Sequence, residues 1–205
     1  MNTFDKAVRD IEARTGVPAG FFDNLKAEDD WSFIIKSHAL IEAACAELLT
    51  EYVGSMELLD PFSRLELSNK RSGKIAFLKS LNLLDEDERR FVSSLSELRN
   101  ILVHNVRNTV FDLSVHISSL DKKQRKSFAN SFGYAFISEE DHPDFTSDIN
   151  KVLNDPKDTL WRGLKFILAV ISLQMDTLRA KRNSNNSLVQ IGEAVASFSK
   201  ARGKV

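Results

Sequence analysis

Three observations predict an all-α fold, an antiparallel helical bundle of about four main helices with short accessory helices. Apolar residues recur at intervals of three and four along most of the chain, the period of a helix face and not of a strand. Only four prolines and eight glycines interrupt the 205 residues. Several apolar stripes also begin just after an Asp, placed where its carboxylate can accept the free amides of a first helical turn.

Taken in order, residues 3–14 carry Phe4, Val8 and Ile11 on one face and are closed by Gly16. "PAGFFDNL" predicts a short helical turn starting at Pro18. Residues 29–53 follow as a core helix, with Ile34, Ile41, Cys45, Leu48 and Tyr52 on one stripe. "GSMELLDPFSRLELSNKRSG" reads as a connector with one or two helical turns, and "GKIAFLKSLNLL" as a helix of two to three turns. In "DEDERRFVSSLSELRNILVHN", Asp85 and Glu88 form a capping-box pair, and Phe91, Leu95, Leu98 and Leu102 make the buried stripe. Asp112 and Asp121 start two further short helices, the second ending at Gly133.

Residues 134–154, with "ISEEDHPDFTSD", read as a polar loop. Asp155 and Pro156 then open a long final helix. The expected organisation is one helical domain over 1–182, with its core at 29–182 and helix 3–14 attached. The Ser/Asn-rich stretch after Arg182 predicts a loosely ordered tail over 183–205.

An apolar fraction of 42% and a charged fraction of 28% are those of an ordinary globular protein with one sizeable core. The net charge of −1 argues against non-specific coating of nucleic acid, yet leaves room for a local basic site. Cys45 is the lone cysteine, so neither a disulfide framework nor a zinc knuckle is available, and a cytoplasmic setting fits. The start "MNTFDKAVRD" has no apolar signal-peptide core. "LKFILAVISLQM", broken by Lys165 and Gln174, is too short to span a bilayer, so no membrane association is expected. No Gly-rich phosphate loop, HExxH or Cys/His cluster is present, and no cofactor or metal is expected. His116 and His142 read as isolated surface histidines.

The chemistry-bearing candidate is "LRNILVHN" at 98–105, where Arg99, Asn100 and His104 gather near the end of a core helix. One reading is structural: a histidine in the last turn complements the helix dipole, and Asn105 is a natural C-cap. The other is that the three residues handle a phosphodiester. In a regular helix Asn100 and His104 share a face, whereas Arg99 and His104 lie about 140° apart. The arginine must then reach round, or the last turn must distort. His38 and Glu42, at i and i+4 on the core helix, are either a mutually satisfied polar pair or a device in which Glu42 grips Arg99 bidentately.

"SELRNILVHN" resembles the hallmark of the HEPN superfamily: an Arg, a polar residue, a few apolar residues and a His, matched here by Arg99, Asn100 and His104. The wider stretch "SHALIEAACAELL…GKIAFLKSLNLLDEDERRFVSSLSELRNILVHN" is similar to the mannitol-repressor-like branch, over roughly residues 30–120. The resemblance implies a helical bundle that forms a homodimer and, where the motif is intact, cleaves RNA without a metal. Arg99 and His104 would then be catalytic, with Asn100 and Glu42 supporting. A toxin or phage-defence role with an antitoxin partner would follow. The branch equally implies a non-catalytic helical regulator or interaction module.

Overall fold

The computed structural model describes residues 3–104, 110–135 and 145–202. Every regular element among them is helical. The order is α1 (Thr3–Thr15), α2 (Phe21–Leu25), α3 (Asp30–Val53), α4 (Leu59–Ser63), α5 (Lys74–Ser80), α6 (Glu86–Val103), α7 (Leu113–Ser119), α8 (Lys122–Phe132), α9 (Phe145–Asn154) and α10 (Pro156–Arg202), with a 3-10 turn at Met56–Leu58. The all-α expectation holds.

Aspartates start the helices by the mechanism their positions suggest. Asp85 accepts from the Glu88 amide at 2.8 Å while the Glu88 carboxylate takes the Asp85 amide at 2.7 Å, so two amides are satisfied reciprocally. Asp121 and Gln124 repeat the arrangement at α8. Asp29, Asp112 and Asp155 accept single amides at the heads of α3, α7 and α10. Gly54 ends α3 with φ +78, a left-handed turn that disfavours a side chain.

α3 runs through the middle. Phe33, Ile34, Ile41, Ala44, Cys45 and Leu48 are buried on it, so this helix is covered on most sides. Against it pack Val8 and Ile11 of α1, Leu95, Leu98 and Leu102 of α6, and Leu164, Ile167, Ile171 and Met175 of α10. Burial pushes the Cys45 thiol up to about 12. α8 closes over α6 through Phe132, whose ring meets Phe91 edge-on at 5.3 Å between centroids. Gly163 permits that approach of α10: a Cβ there would stand 2.5 Å from the Phe91 ring.

Four corrections follow. The antiparallel arrangement does not hold for α1, α3 and α10, which share one direction. Lys157 pairs with Asp30 at one end (3.0 Å) and Arg179 with Glu51 at the other (2.6 Å), while Lys165 meets Asp5 and Arg14 meets Glu51. The long connections between these helices permit parallel neighbours, as short loops would not. α9 occupies residues 145–154, the second part of the expected polar loop. Tyr52, in the last turn of α3, is 42% exposed and so does not belong to the buried stripe. The backbone also stays helical through the Ser/Asn-rich stretch to Arg202, and Leu188, Val189 and Ile191 there are exposed. Asn105, His142 and the acidic part of the 134–154 segment lie outside the described residues. No helix among the described residues is long and apolar enough to cross a membrane.

Candidate functional site

α6 delivers the motif. Its buried stripe (Phe91, Leu95, Leu98, Leu102) turns the intervening positions outward, so Arg99 and Asn100 are half-buried and His104 is exposed. The helix ends at Val103, and His104 is its C-cap with φ −80 and ψ −7. The last turn is therefore undistorted at His104, and the angular gap between Arg99 and His104 is met in another way. Arg99 Nη1 donates to Asn100 Oδ1 at 3.1 Å, which folds the guanidinium toward the side of the helix that Asn100 shares with His104. Among the described residues Arg99 forms no ion pair with a carboxylate.

The grip of Glu42 on Arg99 is not what the structure contains. Glu42 Oε1 instead receives the Lys74 ammonium of α5 at 3.1 Å, and Oε2 lies 3.9 Å from His38 Nδ1. Lys74 is wholly buried and also donates to the carbonyls of Ser63 (3.1 Å) and Leu65, which fills its three donor positions. A cation already bound that closely is the better partner for Glu42, whose side chain is still 35% exposed. Nothing in the sequence around Lys74 marks it as buried, because all three of its acceptors come from other segments.

The His38 ring can be oriented from its neighbours. Ser96 Oγ donates to the Val92 carbonyl at 3.0 Å and lies within hydrogen-bond distance of His38 Nε2 at 3.1 Å, while Nδ1 faces the Glu42 side. Burial is the main reason that His38 holds its proton less tightly than an ordinary histidine; Glu42 opposes the shift, while Arg99 and Lys74 reinforce it. His38 and Glu42 are thus a polar pair at the core edge, and Arg99 is close enough for its charge to be felt there.

A pH dependence follows. A folded-state value below the unfolded 6.5 means that the unfolded chain binds the proton more readily. The stabilisation is complete above about 6.5 and is lost as pH falls toward the lower folded value. Urea midpoints of the wild type should drop between pH 7 and pH 5, and His38→Gln should flatten that slope. It should not abolish it, because His116, half-buried beside Phe111 at 5.4 Å, is shifted in the same direction by burial. A slope unchanged by the substitution would contradict the burial argument. The contact with Phe111 also corrects the reading of His116 as a simple surface histidine.

Around the motif, Ile101 (51%), Val103 (40%) and Val110 (92%) present exposed apolar surface. Among the described residues no group of three or more His, Cys, Asp or Glu side chains could hold a metal ion. Compared with known proteins, the chain matches no family model, no curated protein and no solved structure.

Proposed function

We propose that this protein is a HEPN-type, metal-independent endoribonuclease acting as a toxin or phage-defence component, with Arg99 and His104 as its catalytic residues. The observation that carries the reading is the turn of the Arg99 guanidinium onto Asn100, with no carboxylate among the described residues holding it. A half-buried, uncommitted guanidinium beside an exposed histidine is what a phosphodiester needs. Arg99 takes the non-bridging oxygens and stabilises the charge that builds at phosphorus. The ribose 2′-oxygen attacks phosphorus, the bond to the 5′-oxygen breaks, and a 2′,3′-cyclic phosphate and a free 5′-hydroxyl result. His104 removes the 2′-proton or supplies the proton to the departing oxygen. Asn100 holds the guanidinium in place. Glu42 acts further off, tied to Lys74 and facing His38.

One histidine is poorly placed to serve both ends of an in-line displacement. A two-fold pair of subunits brings two, and the exposed Ile101 and Val103 on the last turn of α6 give that turn a reason to self-associate. Light scattering at micromolar concentration should give twice the 23.1 kDa chain mass. Ile101→Lys should shift the protein to monomer and reduce cleavage together. A fully active wild-type monomer would remove the shared-groove model.

The activity itself is tested with mixed cellular RNAs and purified protein in EDTA, the products being examined for cyclic phosphate ends. A second reading, a non-catalytic helical regulator, is favoured by one observation: Lys74 is bonded to Glu42 and His38 to Ser96, buried polar pairs of the kind that hold helices together. Absence of cleavage by the wild-type dimer on any RNA would select it.

A further inference from the structure

Away from the motif, α8 and α9 enclose a groove of about 960 Å³, open along one side. Lys122, Lys123, Arg125 and Lys126 line it from α8, while Leu120, Ile149 and Leu153 supply an aliphatic floor. Four cations in five consecutive positions stand out in a chain whose net charge is −1. Lys122 and Lys123 are exposed and form no ion pair among the described residues. Arg125 donates from one Nη to the Ser118 carbonyl at 2.7 Å, which fixes its side chain beside the groove.

We propose that this groove is the docking site for an acidic amphipathic helix of a partner protein. The inference stands independently of the nuclease reading. An aliphatic floor between two helices matches the apolar face of a third helix, and the cationic rim matches carboxylates on its flanks. The size agrees: half of a 10–12 Å cylinder over three turns fills about 600–900 Å³. Single-stranded RNA is the poorer occupant, because such tracts stack bases on aromatic rings, and the described lining contains none. A second copy of this chain also fits poorly. Its helical extension, residues 183–202, holds in sequence one acid, Glu193, against Lys200 and Arg202.

The probe is a fluorescein-labelled peptide of about 15 residues with leucines at helical i, i+3, i+4 and i+7 positions and glutamates on the flanks. Anisotropy should report micromolar binding to the full-length protein, weakened at least about tenfold by the pair Lys122→Glu and Lys123→Glu. Both sites are exposed, so the helical circular dichroism should not change. A lysine-flanked version of the peptide should prefer the charge-reversed protein. The proposal is overturned by no binding below about 100 μM, or by equal binding of a peptide whose leucines are scattered round the helix. It is overturned too if an oligouridine binds more tightly and loses that affinity on charge reversal, or if the reversal changes the oligomeric mass. None of these readouts depends on RNA cleavage, so the groove and the nuclease reading can fail separately.

Discussion

His104→Ala and Arg99→Ala should each abolish RNA cleavage while the fold survives. Losing a general acid or base costs about 10²–10⁴-fold in rate, and losing the group that stabilises developing phosphoryl charge costs about 10²–10³-fold. Stability should hardly move. His104 is exposed at the helix end, and the one hydrogen bond of Arg99 goes to a half-buried amide on the next residue, so shifts of about 0.5 kcal/mol are expected. Asn100→Ala should reduce the rate less than either, because the guanidinium loses its tether and keeps its charge. Cleavage of a labelled RNA in EDTA, with urea midpoints of the same preparations, checks all three. Variants that melt early, beside a wild type that cuts nothing, would assign the motif a structural role.

Lys74→Met should be the most damaging substitution for stability. Methionine fills most of the same space, so the expected loss comes from polar groups and not from a cavity. The carbonyls of Ser63 and Leu65, both part-buried, lose a donor, at about 1–2 kcal/mol each. Glu42 loses its ammonium partner but is exposed enough to regain water, so its share is small. A total of about 2–4 kcal/mol is expected from the urea midpoint, with the denaturant slope unchanged. Glu42→Gln alone should cost about 1–3 kcal/mol, because the amide oxygen can still accept but the wholly buried Lys74 ammonium loses its counter-charge. A Lys74→Met protein as stable as the wild type would show that the connector carbonyls find other donors. Because Lys74 ties residues 63–65 to α3 beside His38, the same substitution should loosen that flank of the motif.

Helix starts were legible because they are local. Asp85 with Glu88, and Asp155 ahead of Pro156, carry their partners within three residues, and the structure contains those bonds. The α6 stripe was legible for the same reason. α9 was hidden because the acids ahead of it set the tone of the segment, although Ile149, Val152 and Leu153 follow helical spacing. Direction was illegible: that α3 and α10 run together depends on Lys157 reaching Asp30 and Arg179 reaching Glu51, contacts more than a hundred residues apart. At the candidate site, spacing alone showed that Arg99, Asn100 and His104 gather at the end of one helix, and left their role open between a cap and a phosphodiester site. The partner of Glu42 could not, since nothing near Lys74 in sequence distinguishes it from a solvated lysine.

Cys45 sits at the centre of α3 with none of its surface exposed and its thiol pushed up to about 12. A thiol in that state reacts with neither disulfide reagents nor maleimides until the helices around it separate. Since it is the lone cysteine, the rate of modification reports openings of the core around α3. The native chain therefore carries its own chemical clock for the opening of that core. A cysteine added at the surface can be labelled selectively without first removing the natural one.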